Sequence, residues 1–436
     1  MSIPTLQGLQ TALSGLIAEQ TALDTTGNNI ANANTEGYSR ETATMEPNPS
    51  IVIPAISAQT GEGAQLGAGV TTASITRIRN LYLDAQYRVQ NSSLGAATAD
   101  AEVLERAQAA FNEPSTAGIA TQLSTFWSAW NSLAESPASL AAKNEVVSAG
   151  TQLATSFNEL SAQLTTFATQ AGEEYNSLTG PSGEVEDYAN QLAQLNRQIK
   201  LAEEANTPPD TMLDRRDQLL DKLSSLANIT VTEEADHMDT VTFGEAAQPL
   251  VQGTTVNWPQ TLTETSGGRL GALIKLTGPN GTLTAVQEQL DEVASTLSST
   301  VNGVLPKAFF SGASAATLAV ALSAKEVQAS GTGNPGGNEL AQSIAALRGG
   351  AAEQEYAGLV EKVGSDVRTA QDDKTNLQTT LLAVNDQRQS VSGVSLDEEM
   401  TNLITYQRGY QASARTLTAM SEMLETLIEH TGVVGL

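Results

Sequence analysis

His237 and His430 are the only histidines in the chain, and cysteine is absent. His237 lies beside Glu233, Glu234 and Asp236, an acidic run with the right charge to attract a cation. A zinc centre needs three or four converging ligands, and neither histidine sits in a His-Glu-x-x-His arrangement. The run therefore reads as a solvated acidic loop, and no metal is expected. Gly331-Thr332-Gly333-Asn334-Pro335-Gly336 has G-x-G-x-x-G spacing ahead of an expected helix. That spacing cradles a pyrophosphate only where a strand runs into it. No convincing strand does so here, and Pro335 removes an amide that a phosphate would use, so the segment reads as a loop without nucleotide or other cofactor. Asp214-Arg215-Arg216-Asp217 is a dense charge cluster on an expected helix. Asp214 and Asp217 share a face and repel, Arg215 and Arg216 offset that, and the group reads as a structural ion network. A thiolate nucleophile is excluded, no nucleophile–base–acid set is identifiable, and the chain reads as having no catalytic residue.

What remains is architecture. The 436 residues are 40% apolar and 16% charged, enough for two or three packed domains. Lys and Arg number 22 against 49 Asp and Glu, a net charge of -27. Such a surface repels phosphate backbones and anionic lipid, so neither nucleic acid nor a membrane surface is an expected partner. No apolar run approaches the roughly 18 residues of a membrane span. There is no Lys or Arg before Arg40, hence no basic region of a secretory signal. That leaves the cytosol or an export route that keeps the N-terminus intact.

Leu6, Leu9, Leu13, Leu16, Leu23 and Ile30 follow alternating steps of three and four, interrupted at Gln20 and Gly27. This spacing makes a heptad seam, although periodicity alone favours an ordinary amphipathic core helix. At the other end Leu403, Tyr406, Tyr410, Leu417, Met420, Leu424 and Leu427 repeat it, with Ser413 the one polar place. Two seams at opposite ends of the chain predict a coiled-coil-like pair of terminal helices. Ile17, Ile404 and Ile428 would stay on open faces, which suggests further helices from neighbouring subunits. Gly8 and Gly15 weaken the first helix, and no Lys or Arg supports it, so both terminal segments are expected to be disordered in the free chain and helical only on assembly.

The Asn- and Gly-rich run 27–38 should end the first helix. Residues 41–76 read as an extended connector, either an arm lying on other chains or a set of short strands. Helices are expected from Arg77 to about Asn228, broken at Asn112-Glu113-Pro114-Ser115, Ser136-Pro137 and Thr179-Gly180-Pro181, with Asp210 capping the last of them. From residue 229 short β-type runs appear at 229–232, 240–243 and 250–251, then helix over 283–304 and again from Asn338. The expected fold is mainly α with a β-containing inserted domain, nested and discontinuous. Residues 1–40 with 396–436 form the terminal-helix core, 41–76 the connector, 77–228 with 338–395 a rod-like helical domain, and 229–337 the inserted outer domain.

Residues 12–40 resemble the N-terminal motif of the flagellar rod, hook and hook-associated axial proteins. Their ending, Ala33-Asn34-Thr35-Glu36-Gly37-Tyr38-Ser39-Arg40, looks like that of the hook-associated protein 1 family. Residues 393–400 with Leu403, and Tyr406-Gln407-Arg408-Gly409-Tyr410-Gln411-Ala412-Ser413-Ala414-Arg415, are similar to that family's C-terminus. Leu213-Asp214-Arg215-Arg216-Asp217-Gln218-Leu219-Leu220 and Pro249-Leu250-Val251-Gln252-Gly253 match its mid-chain helix and the turn after it. The resemblance implies a structural subunit at the extracellular junction of hook and filament, exported by the flagellar type III apparatus. It implies as partners other copies of itself, the hook protein, hook-associated protein 3, and a dedicated export chaperone at the C-terminal helix. The chain is short for the family, which implies a reduced outer domain. Other readings are another rod or hook subunit, a secreted adhesive module using the insertion, and a flagellum-associated hydrolase.

Overall fold

The computed structural model describes residues 4–53, 64–234, 238–332, 334 and 336–430. His237, Asp236, Gly333 and Pro335 lie outside them, so the acidic loop and the glycine loop are only partly in view. Helix α1 (Pro4–Asn32) is followed by β1 (Glu41–Pro47), β2 (Ile51–Ile53), β3 (Ala64–Leu66) and β4 (Val70–Arg77). Glu41 stands opposite Arg77 and Pro47 opposite Val70, making an antiparallel ribbon that β2 and β3 extend. Residues 41–76 thus contain strands and fold back along their own chain. The ribbon packs on α1: the Val70 amide donates to Ser14 Oγ at 3.2 Å. Gly69, at φ +88, lets the turn come against Thr11 and Ser14, where any Cβ would collide.

The helical body begins with α2 (Leu81–Phe111), started by the Asn80 side chain accepting from the amides of Tyr82 and Leu83. Then follow α3 (Ile119–Glu135), α4 (Leu140–Thr179), α5 (Glu184–Glu204) and α6 (Asp210–Leu226). The breaks fall where Pro and Gly interrupt the pattern. One expectation fails: Asp210 does not cap α6. Pro209 holds the cap position, and the Asp210 carboxylate, one residue inside the helix, turns 4.0 Å from Arg77.

Strands β5 (Ile229–Glu233), β6 (Asp239–Phe243), β7 (Val251–Gln252) and β8 (Thr255–Val256) form one antiparallel sheet in that order. After it come α7 (Gly268–Thr277), α8 (Thr282–Val304), the short hairpin β9 (Phe310–Ser311) and β10 (Ala319–Val320), α9 (Glu339–Ala345), α10 (Ala351–Ser392) and α11 (Leu396–His430). The chain is mainly helical with a few small sheets, as its periodicity predicts.

The body has two cores, and they divide residues 229–337 between them rather than leaving one inserted unit. In the larger core, α8 lays Leu290, Val293, Leu297 and Val301 against α4, α7 and α10. Phe126, Trp130, Phe309 and Phe310 interlock there with ring centroids 4.8–6.3 Å apart. In the smaller core, Val241, Phe243 and Val251 of the sheet meet Leu192 of α5 and Leu219 and Leu223 of α6. The split has a physical reason. A seam of six large aliphatics on α8, from Leu283 to Val301, needs a helical surface to bury it, and a four-stranded sheet this short offers none.

Candidate assembly core and the joint behind it

Helices α1 and α11 lie antiparallel in a fixed register. Gly8 meets Met420, Gly15 meets Ser413 and Glu19 meets Gly409, while Asn29 Nδ2 donates to Glu399 Oε2 at 3.2 Å. The contacts therefore recur in a seven-residue register: Gly8, Gly15 and Asn29 against Met420, Ser413 and Glu399, with Ala22 and Tyr406 lining a small gap between the helices. A Cβ at Gly15 would lie 3.0 Å from Ser413 Oγ, so the backbones come together because this position carries no side chain.

This register places the sequence-derived seam residues unequally. On α11, Leu403, Tyr406, Tyr410, Leu417, Met420 and Leu424 are half-buried on the α1 side, and Leu427 is 51% exposed. On α1, Leu9, Leu16, Leu23 and Ile30 are half-buried flanks of the contact. Leu13 is 44% exposed and points away, and the Leu6 side chain is outside the described part. The contact face of α1 is thus turned from the leucine seam toward its small residues, because leucine at the centre would hold the helices apart. Ala12, Ala18 and Ala22 are buried instead.

Behind the pair is a polar joint where both ends of the chain meet the body. Asn29 Oδ1 accepts from the Tyr38 hydroxyl at 2.9 Å and the Glu41 amide at 3.0 Å, and its Nδ2 donates to the Glu41 carbonyl at 2.8 Å. Arg40 binds Glu399 at 2.8 Å and Glu398 at 2.6 Å, tying β1 to the start of α11. Fully buried Ser39 donates from Oγ to Asp214 Oδ1 at 2.6 Å and from its amide to Oδ2 at 3.1 Å. The Gln218 side chain donates to the Glu36 carbonyl at 2.6 Å, under Gly37 at φ +77. The two motifs of the sequence resemblance, 33–40 and 213–220, are therefore two halves of one contact.

Four arginines complete it. Arg77 reaches Asp214 at 2.6 Å and Asp217 at 3.1 Å, Arg88 holds Asp217 and Asp221, and Arg79 holds Asp84 at 2.8 Å. Arg388, from the far end of α10, bridges Asp84 at 2.9 Å and Asp221 at 2.7 Å. Burial raises the Asp217 carboxyl's proton affinity, but Arg79, Arg88 and Arg77 outweigh it and leave the group below its usual range. At Asp84 burial wins over Arg79 and Arg388 and the shift is upward. Burial, then the neighbouring Glu41, Asp214 and Glu399, push the Tyr38 hydroxyl up, so it stays a hydrogen-bond donor. The one hydroxyl held by a carboxylate here, Ser39 Oγ on Asp214, is fully buried, and the network ties both ends of the chain to the helical body. Among the described residues no group of three acidic, His or Cys side chains is placed to hold a metal ion, and no helix is long and apolar enough to cross a membrane. Sequence reasoning found the Asp214–Asp217 cluster but missed Arg77, Arg79, Arg88 and Arg388. Their signal was weak: arginines scattered through an otherwise acidic chain.

Residues 104–264 match the family described as the flagellar hook-associated protein FlgK helical domain. Residues 9–38 match flagella basal body rod proteins, and 386–429 match the C-terminal region of flagellar basal body rod FlgEFG proteins. Together these stretches take in more than half of the chain. The flagellar hook-associated protein 1 of Bacillus subtilis is 29% identical over 99% of both chains. That of Escherichia coli is 28% identical over 57% of this chain, which spans 43% of the relative's length. A solved structure of the flagellar hook junction protein FlgK from Burkholderia pseudomallei matches 50% of this chain and 43% of its own, with a TM-score of 0.44 and 23% identity.

Proposed function

Since the chain belongs to the flagellar axial family of rod, hook and hook-associated proteins, we propose that it is the structural subunit joining hook to filament in the extracellular flagellum. One observation carries the mechanism. The α1–α11 pair satisfies its own inner seam with small residues and leaves large apolar side chains outside: Ile17, Met400, Ile404, Met423 and Ile428 are 45–72% exposed. A lone pair gains nothing from that face, whereas neighbouring copies side by side would bury it at about 1.5–3 kcal/mol per large side chain fully covered.

The division of labour follows from the joint. The terminal pair would line the axis of the assembly and the body would project outward, its direction set by Asp214, Arg77 and Ser39. Type III export, a chaperone shielding the C-terminal helix beforehand, and contacts with the hook protein and hook-associated protein 3 belong to the same reading. The role is mechanical, with no turnover: the clustered carboxylates are consumed in ion pairs with arginine. Deleting the gene from its source strain should release filaments into the medium and leave bare hooks, and restoring it should reattach them. Filaments that stay attached in the deletion strain would overturn the proposal.

A further inference from the structure

One column of α11 points directly away from α1. Glu399, Tyr406, Ser413 and Met420 face α1 at seven-residue intervals. Two residues beyond the last three of these, roughly 200° around the helix, stand Arg408, Arg415 and Glu422, and Glu429 continues the column. All four are exposed, and none is in an ion pair among the described residues. Arg408 and Arg415 are also the only Lys or Arg in either terminal helix. Read along the helix, the outward column is Arg, Arg, Glu, Glu.

We propose that a second copy of this chain packs parallel on this face, displaced by two heptads, so that Arg408 and Arg415 of one copy meet Glu422 and Glu429 of the next. This rests on the self-assembling role proposed above and adds its register. Parallel copies without displacement set Arg on Arg and Glu on Glu. One heptad matches Arg415 with Glu422 but opposes Arg408 to Arg415 and Glu422 to Glu429. Two heptads, about 21 Å at 1.5 Å per residue, match both pairs and oppose none. An antiparallel copy also matches both, but it uses all four charges in one closed pair. The displaced parallel contact leaves each copy two arginines for the neighbour on one side and two glutamates for the neighbour on the other, so it propagates. Exposed pairs of this kind add little affinity and mainly select register.

Two charge-neutral swaps separate the arrangements. R408E/E422R keeps both pairs in the displaced parallel contact and breaks both in the antiparallel one; R408E/E429R does the reverse. Each full-length variant replaces the gene in the deletion strain, and attached filaments are counted. Purified full-length variants are compared by sedimentation and thermal unfolding, so that failed export or folding does not hide the result. We expect R408E/E422R to attach filaments like the unaltered chain and R408E/E429R to attach about tenfold fewer. Equal behaviour of the two swaps, or the opposite order, overturns the register. Failure of the unaltered chain to restore filaments overturns instead the function on which it rests.

Discussion

In the body, Phe126, Trp130, Phe309 and Phe310 are at most 2% exposed; in the terminal pair, Gly8 and Gly15 are places of close contact, and among the described residues none of α1 or α11 belongs to either core. The same chain thus closes two contacts by opposite means. The body excludes water with large rings and finishes its core alone. The pair brings two backbones together where α1 lacks side chains, half-buries its leucines and leaves Ile17, Met400, Ile404, Met423 and Ile428 exposed. Area buried per residue is high in the first case and low in the second, so cohesion of the pair must come from what is added later. On the proposed assembly, neighbouring copies complete this part, and it is left unfinished in isolation.

The sharpest way to break that contrast is to damage each side in turn. Trp130→Ala removes a fully buried indole and should lower the stability of the body by about 3–5 kcal/mol, read as a drop in its denaturant midpoint. An unchanged midpoint would mean that the aromatic knot is not what holds the body. Gly15→Leu should cost the pair about 1–3 kcal/mol through overpacking against Ser413. In the free chain it should raise amide exchange across 403–427 and leave the body's midpoint unmoved. Even without the substitution, protection of those residues should be well below that of α3 and α8. Strong protection of both terminal helices in the monomer would erase the distinction between the regions.

A smaller effect sharpens the contrast within the body. Asp239 is 5% exposed and 3.0 Å from Arg216. Burial outweighs that arginine and pushes its carboxyl up to about 6. The folded state therefore binds this proton more tightly than the unfolded chain does. The associated stability is complete below the ordinary carboxylate range near pH 4 and is lost as pH rises through about 6. Asp239→Asn cannot titrate. The difference in stability between variant and native chain should drift in the variant's favour by up to about 3 kcal/mol from pH 4 to 6.5, measured by urea unfolding at each pH. No drift would show that Arg216 compensates the burial in full.

Local pattern made the elements legible. The three-and-four spacing of 6–30 and 403–427 marked both terminal helices, and the Pro and Gly breaks at 112–115, 136–137 and 179–181 fell at helix ends. Asp210 was misjudged because a cap depends on the backbone angle of one residue, and Pro209 holds that position. The joint was half legible: Asp214 and Asp217 announce charge, but their partners come from β4, α2 and α10.

By itself the amino-acid sequence determined that the chain is helical and acidic, with amphipathic ends. Those properties depend on residues within a turn or two of one another. Only the tertiary structure decided which face of α1 turns to α11, how residues 229–337 divide between two cores, and which arginine answers which aspartate. The apolar stripe of α1 admits several rotations. The one adopted is where two backbones approach most closely, and that depends on side chains of both helices at once. Likewise Arg388 and Asp84 lie far apart in the chain, and only the antiparallel course of α2 and α10 brings them to 2.9 Å.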